Sequence, residues 1–403
     1  MLIVPCYKVN KRDFILGFTY NAVFIAPILL LNHSTIIVMN PFSVYPEQYQ
    51  SQLNTKITRL KQQLSEVAHV AFPEVEVFES AAEHYRMRAE FKVWHEGDTS
   101  HYAMSDKETK KPVFLTDFPV ASRSINTLMP LLLAEINRCD VLRKKLFQIE
   151  FLATLTNDML VTFIYHRPLS EEWIEKITPV KEKYSLNIIG RSRKQKIILD
   201  RAYVNEELQV KNRLYSYQQN EGSFTQPNAK VCEKMLTWAV NNSTSSEPKR
   251  DLLELYCGNG NFTLPLAQNF RQVMATEISK SSVYSAQENI SRNDIDNVTI
   301  VRMSSEDFSD AMGKVRTFRR LKDIDLDSYD FSTVFVDPPR AGLDDDTLKM
   351  IQQFDEIIYV SCNPITLAEN LHHLCKTHKA TALAAFDQFP YTDHLEAGII
   401  LKR

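Results

Sequence analysis

DLLELYCGNGNFTLPLAQNFRQVMATE, residues 251–277, carries the alternation that decides the fold. An apolar run of strand length opens it and breaks at a Gly-x-Gly turn, Gly258 to Gly260. A helical stretch follows, then a second apolar run ending on an acid, Glu277. A tight glycine turn at the carboxyl end of a buried strand lets the backbone approach a ligand closely. The dinucleotide fingerprint G-x-G-x-x-G is incomplete, because Thr263 stands where the third glycine belongs. That counts against a pyrophosphate seated on the helix. Glu277 suits bidentate bonding to ribose hydroxyls, with a helix N-cap as the purely structural alternative. Strand, glycine turn, helix and an acid-ended strand is also how S-adenosyl-L-methionine is held, a ligand without phosphates. Cys257, in the same turn, reads as a packed small side chain.

Downstream the alternation continues. STVFVDPPRAGL, residues 332–343, is a buried strand closed by Asp337-Pro338-Pro339-Arg340. A Pro-Pro pair cannot continue a ladder, so Asp337 is held at the sheet edge where such folds bind ligands. The next strand, EIIYVSCNP (356–364), brings Cys362 to the same edge, and FPYTDHLEAGIIL (389–401) brings Glu396 just before the last strand. Methylating the C5 carbon of a pyrimidine asks for this trio of groups. A thiolate adds at C6 to make C5 nucleophilic, an acid bonds near the ring, and a base removes the C5 proton. The ordinary thiol pKa of about 8.5 must then be lowered, or the proton given a taker. Strands and helices alternating from about residue 215 to the end predict a doubly wound parallel sheet. The chain has nine glycines, and Gly258, Gly260, Gly342 and Gly398 fall in these segments, which points to backbone geometry with a purpose.

The front half reads differently. Residues 45–67 place Leu53, Ile57, Leu60 and Leu64 at helical spacing. VEVFES (75–80) reads as a strand, and in HYRMRAEFKVWHE (84–96) Tyr85, Met87, Ala89, Phe91 and Val93 alternate with Arg86, Arg88, Glu90 and Lys92. That predicts an antiparallel strand with a charged outer face. Residues 113–120, 146–155 and 159–166 continue the strand character, with helices near 124–134 and 171–184.

The chain's 403 residues leave room for two domains, and its net charge of −3 confines any nucleic-acid surface to a local patch. Basic runs at Arg143-Lys144-Lys145, at RSRKQK (191–196) and around Arg316, Arg319, Arg320 and Lys322 are candidates, each with a solvated face as the bland alternative. The six cysteines form no CxxC pair, which disfavours a zinc ribbon, a redox dithiol or a compact iron–sulfur motif, and fits a reducing cytoplasm. One segment stands apart. FILGFTYNAVFIAPILLL (14–31) is nearly long enough to span a membrane but holds Asn21 and Pro27.

LLELYCGNGNF, FVDPPRAGL, VSCNP and FDQFPYTDHLEAG together resemble the RNA uracil-5-methyltransferases, from about Met39 to the C-terminus. HYRMRAEFKVWHEGD, KLFQIEFLATL and EGSFTQPNA resemble the bacterial tRNA branch of that family. The resemblance implies an α/β fold: an N-terminal α+β RNA-binding domain over 39–214 and a Rossmann-like S-adenosyl-L-methionine-dependent catalytic domain over 215–403. It implies methylation of uridine C5 at position 54 of the tRNA T-loop by a cytoplasmic monomer, with tmRNA as a second substrate and no metal. Cys362 matches the nucleophile and Glu396 the base. Gln226, Tyr256, Asn261, Glu277 and Asp337 match cofactor-binding positions, Asp337 also lying near the target ring. Ala397 departs from the pattern, where cysteine is common. Phe147, Arg86 and Arg88 are candidates for the RNA surface, with core Phe and exposed strand Arg as the structural alternative. An rRNA uracil-5-methyltransferase and an RNA-folding protein on a methyltransferase scaffold are the alternatives. The first is disfavoured because only Cys6 and Cys139 precede residue 215, too few for that branch's iron–sulfur cluster. Residues 1–38 are expected to be a non-native or unstructured apolar extension, with the cellular protein beginning at Met39 and a membrane anchor as the competing reading.

Overall fold

The computed structural model describes residues 44–67, 70–106, 109–243 and 250–403. The apolar segment 14–31 and the expected start at Met39 lie outside them. No helix among the described residues is long and apolar enough to cross a membrane.

Helix α1 (Tyr49–Ser65) forms where the spacing predicts it, and buries Leu53, Leu60 and Leu64. The same buried stripe contains Lys56. Strand β1 (Val75–Phe78) follows. A seven-stranded sheet is then built from β2 (Arg88–Glu96), β3 (Thr99–Ser105), β4 (Pro112–Leu115), β5 (Leu146–Ala153), β6 (Met159–Tyr165), β7 (Asn187–Ser192) and β8 (Gln195–Ile198), in the order β4-β3-β2-β5-β6-β7-β8. Its pairs are antiparallel except β6–β7, which a helix crosses over. Helices α2 (Arg123–Arg138), α3 (Asp140–Arg143) and α4 (Glu171–Tyr184) accompany this sheet. Ile125, Met129, Trp173 and Ile177 pack with Phe91, Ile149 and Phe151 in one core. Ala89, Phe91 and Val93 point inward as the alternation predicts. The charged alternates do not simply face solvent: Arg88, Glu90 and Lys92 line a large cavity against the rest of the chain.

The hairpin β9 (Tyr203–Val210) and β10 (Arg213–Asn220) comes next. The expected boundary between 214 and 215 runs through β10, because a hairpin register ties both strands into one unit. After α5 (Ala229–Asn242) the second sheet is laid down. Its later strands are β11 (Asp251–Leu255), β12 (Val273–Thr276), β13 (Val298–Val301), β14 (Phe331–Val336), β15 (Glu356–Ser361), β16 (Lys379–Phe386) and β17 (Glu396–Lys402). The interleaved helices are α6 (Thr263–Leu266), α7 (Lys280–Arg292), α8 (Ser305–Met312), α9 (Asp345–Ile351) and α10 (Pro364–Leu374).

The sheet order is β1-β16-β17-β15-β14-β11-β12-β13, with β17 antiparallel to both neighbours and every other pair parallel. Strand β1, read with the front half, adds here beside β16, Val75 opposite Leu383. Helix α1 also packs in this sheet's core, through Leu60 and Leu64. Near-continuous apolar strands buried on both faces are what a parallel sheet requires. Strand order reverses at β11, which pairs with both β12 and β14. Ligands of open α/β sheets bind outside the strand ends at such a point.

Candidate active site

The glycine turn stands at that reversal. Tyr256, Gly258 and Gly260 all take positive φ (62°, 57° and 83°), folding the backbone back at the end of β11. A Cβ on Gly258 would meet nothing, since that face opens to the cavity, whereas one on Gly260 would lie 2.7 Å from Leu264. The helix expected after the turn is a single α-turn, α6, continued by a 3-10 turn at Ala267–Asn269. Pro265 inside it has no N–H to give. So short a helix offers no phosphate seat, in keeping with the missing third glycine.

Glu277 is held from both sides: Gly258 N donates to Oε2 at 3.1 Å and Ser279 N to Oε1 at 2.7 Å. It is not the N-cap of α7, a role taken by Ser279. Its carboxylate is therefore fixed at the cavity wall with lone pairs to spare. Gln226 lines the same cavity with a buried Oε1 that has no hydrogen-bond partner. A buried acceptor without a donor is costly, so it marks where a ligand's N–H or ammonium fits. Asn261 is oriented by Cys232, its Nδ2 donating to Sγ at 3.4 Å. Tyr256 turns its hydroxyl to Ser305, 2.6 Å away. The cavity, about 1090 Å³, is lined by Gln226, Tyr256, Asn261, Glu277 and Asp337 together. This donor and acceptor set fits a nucleoside carrying an amino-acid tail. Cys257 is buried and its thiol pKa is driven up by burial, as befits a packed side chain.

Asp337, Cys362 and Glu396 come from β14, β15 and β17, three neighbours in the sheet. Ser361 pairs with Ala397, which sets Cys362 and Glu396 one step further along the same antiparallel register. Cys362 and Glu396 lie beyond the residues that line the cavity proper; Asp337 is the link. The three groups feel one another. Burial pushes the Cys362 thiol up to about 12, with the Glu396 and Asp337 carboxylates adding to the rise and Arg340 opposing it. Burial raises Asp337 to about 7. Burial and then the Asp337 charge drive Glu396 well above the usual carboxylate range, again against Arg340. The thiol is thus not pre-ionised, and the chemistry needs a proton taker at the site. The raised carboxyls are the groups able to serve.

Two nearby groups escaped the sequence reading. Glu254, in the middle of β11, is 1 % exposed with an unpartnered Oε2, and burial raises it to about 8. An acid inside a five-residue apolar strand is a signal that could have found it. Gln388, fully buried, accepts from Asn228 N at 3.0 Å and so braces the segment that carries Gln226. Of the RNA-surface candidates, Phe147 is exposed and stacks on His166 with centroids 4.2 Å apart. Arg86 and Arg88 line the cavity and donate to backbone carbonyls, Arg86 to Arg88 O and Arg88 to Ser223 O. The basic runs are partly neutralised: Arg143 and Lys144 pair with Asp140, Arg191 and Lys196 with Glu221, Arg316 with Asp307 and Asp310. Among the described residues, no cluster of three or more His, Cys, Asp or Glu could hold a metal ion.

Residues 48–403 match the family described as tRNA (Uracil-5-)-methyltransferase. A Vibrio parahaemolyticus protein named tRNA/tmRNA (uracil-C(5))-methyltransferase is 56% identical, with 91% of this chain and 100% of the relative covered. A Cellvibrio japonicus protein of the same name is 55% identical over 88% of this chain and 96% of its own. Among solved structures, Pyrococcus abyssi tRNA (uracil-54, C5)-methyltransferase in complex with S-adenosyl-L-homocysteine superposes with a TM-score of 0.65 at 20% identity, covering 88% of this chain and 83% of that one. That likeness is one of fold. By its matched length and by relatives more than half identical along nearly all of it, the chain belongs to the tRNA (uracil-5-)-methyltransferase family.

Proposed function

We propose that the protein methylates C5 of uridine in tRNA, at position 54 of the T-loop, and acts on tmRNA as well. The observation that carries this is the convergence of a thiol and two buried carboxyls of raised proton affinity, from adjacent strands, beside a nucleoside-sized cavity. S-Adenosyl-L-methionine, when bound, supplies the methyl group as an electrophile. Gln226, Asn261, Glu277 and the Gly258 turn would hold it.

Cys362 gives up its proton to the Asp337 carboxylate and adds through sulfur to C6 of the uracil, which leaves the Glu396 carboxylate for the C5 proton. The C5=C6 electron pair moves toward C4=O, which makes C5 nucleophilic. Asp337 stands where it can bond the ring. Once C5 carries both methyl and hydrogen, Glu396 takes the C5 proton; the C5=C6 bond reforms and the sulfur–C6 bond breaks, returning the thiolate. The Phe147–His166 stack offers an exposed aromatic platform of the kind that holds splayed RNA bases. The protein is read as a cytoplasmic monomer.

The test is methyl transfer from labelled cofactor to unmodified tRNA, with nucleoside analysis of the product. The expected product is 5-methyluridine in the T-arm. Label confined to ribosomal RNA, or found on cytosine, overturns the reading.

A further inference from the structure

Lys56 is the anomaly of α1. It sits on the buried stripe with Tyr49, Leu53 and Leu60, where an apolar side chain would be cheaper. Its ammonium donates to Asp387 Oδ1 at 2.7 Å and to the Phe389 carbonyl at 2.8 Å, and the two side chains of the pair are 3% and 0% exposed. Both contacts fall on the segment between β16 and β17, which ends at Glu396.

The rest of that segment is held from the same side. The Tyr391 N–H donates to Gln52 Oε1, and Tyr391 keeps a left-handed φ of 60°. Tyr85, from the front half, donates to Pro390 O at 3.0 Å. Tyr49 accepts from Ser80 N, and Ser80 Oγ accepts from Asn228, which caps the helix after Gln226. Phe389, itself one of these anchors, and Thr392, just after the last of them, face the cavity. A buried ion pair is weak evidence of stability, and its best-attested use is to fix one conformation among several.

We propose that Lys56 is a positioning residue: by fixing Asp387 and the Phe389 carbonyl it sets the register of the loop that delivers Glu396 to the target base. The proposal rests on the reading of Glu396 as the base that removes the C5 proton. With the loop free to shift, proton removal slows while thiol addition and methyl transfer continue. A displacement of about 1 Å is enough to cost on the order of 10²-fold in rate.

The experiment compares Lys56→Met, the double variant Lys56→Met/Asp387→Leu and Glu396→Gln in the full chain with unmodified tRNA. It reads turnover, cofactor dissociation constant, melting temperature and the protein–RNA adduct on a denaturing gel. Lys56→Met is expected to lose about 10- to 100-fold in kcat, to hold cofactor within about threefold, and to accumulate adduct. The double variant removes both charges, so it recovers thermal stability but not turnover. It carries the test where the single variant does not fold. A purely structural role would lower the melting temperature without changing the adduct fraction. Adduct in Glu396→Gln, with unaltered turnover and no adduct in a folded Lys56 variant, overturns the clamp alone. No adduct in Glu396→Gln overturns the reading of Glu396 and the clamp with it.

Discussion

Two carboxyl pairs, one lining the cavity and one reaching it only through Asp337, are built differently. On the proposed catalytic side Asp337 and Glu396 stand at strand ends; burial raises both, and Arg340 opposes the rise of Glu396. On the facing wall Glu90 and Glu150 lie directly opposite each other in mid-strand, in a row with Arg88, Lys92 and Gln148. Burial and then the Glu90 charge raise Glu150 to about 7, while Arg88 pulls it down. The same physics, a carboxyl kept protonated by desolvation and a like charge, serves two ends. At a strand terminus beside a thiol it makes a carboxyl that, once ionised, takes a proton strongly, as the proposed mechanism asks. In the middle of a mixed-charge sheet face it makes a polar lining of the cavity.

The sharpest break in that comparison is Cys362→Ala. It should remove methyl transfer by roughly 10⁴-fold or more, leaving cofactor affinity within a few-fold, because the thiol acts on the base. Wild-type yields of 5-methyluridine would end the covalent mechanism. Glu396→Gln should lower turnover by about 10²- to 10⁴-fold and leave a band of protein joined to RNA. If turnover stays normal and the band is missing, the base lies elsewhere.

The pH profile follows from the same wall. Asp337 at about 7 is protonated below that value, so the proton taker is lost as pH falls. The rate should climb with pH through about 7, and ionisation of the raised Glu396 adds to the climb. A rate already flat from pH 5 would contradict it.

Effects of substitutions in the front-half sheet should be milder. Phe147→Ala should raise the KM for tRNA by about 5- to 100-fold through the lost stacking, with kcat unchanged. A change in kcat with KM unmoved would put Phe147 in the chemistry instead. The smallest effect is Glu150→Gln. Its folded-state pKa of about 7 lies above the unfolded carboxyl's, so the folded form binds the extra proton. Wild-type stability is therefore lost as pH rises from about 4 to 7, and stays lost above. The variant should gain on the order of 1 kcal/mol at pH 8 and nothing at pH 4, by chemical denaturation. Equal shifts at both would assign the effect to packing.

The catalytic wall was far easier to read from the sequence. Asp337, Cys362 and Glu396 each border a buried apolar run, so their place at the sheet edge follows from strand ends alone. The facing wall depends on register: that Glu90 meets Glu150 is decided by how two strands pair. Lys56 was beyond reach, because a lysine beside Ile57 on an amphipathic helix reads as a solvated rim. Only Asp387, 331 residues away, makes it a core residue. The thiol's pKa was equally hidden, being set by burial that no motif records. The four-residue strand β1 names no partner in its sequence, and its sheet membership had to be seen.

That strand has a consequence for how the protein is made. Strand β1 and helix α1 leave the ribosome early, yet their partners, β16 and the Asp387 loop, come about 300 residues later. At about 5–20 residues per second that is a wait of roughly 15–60 seconds. The seven-stranded sheet, contiguous in sequence, can close in the meantime. The nascent chain thus finishes its seven-stranded sheet first and must keep the apolar side of α1 from wandering until the last two strands arrive.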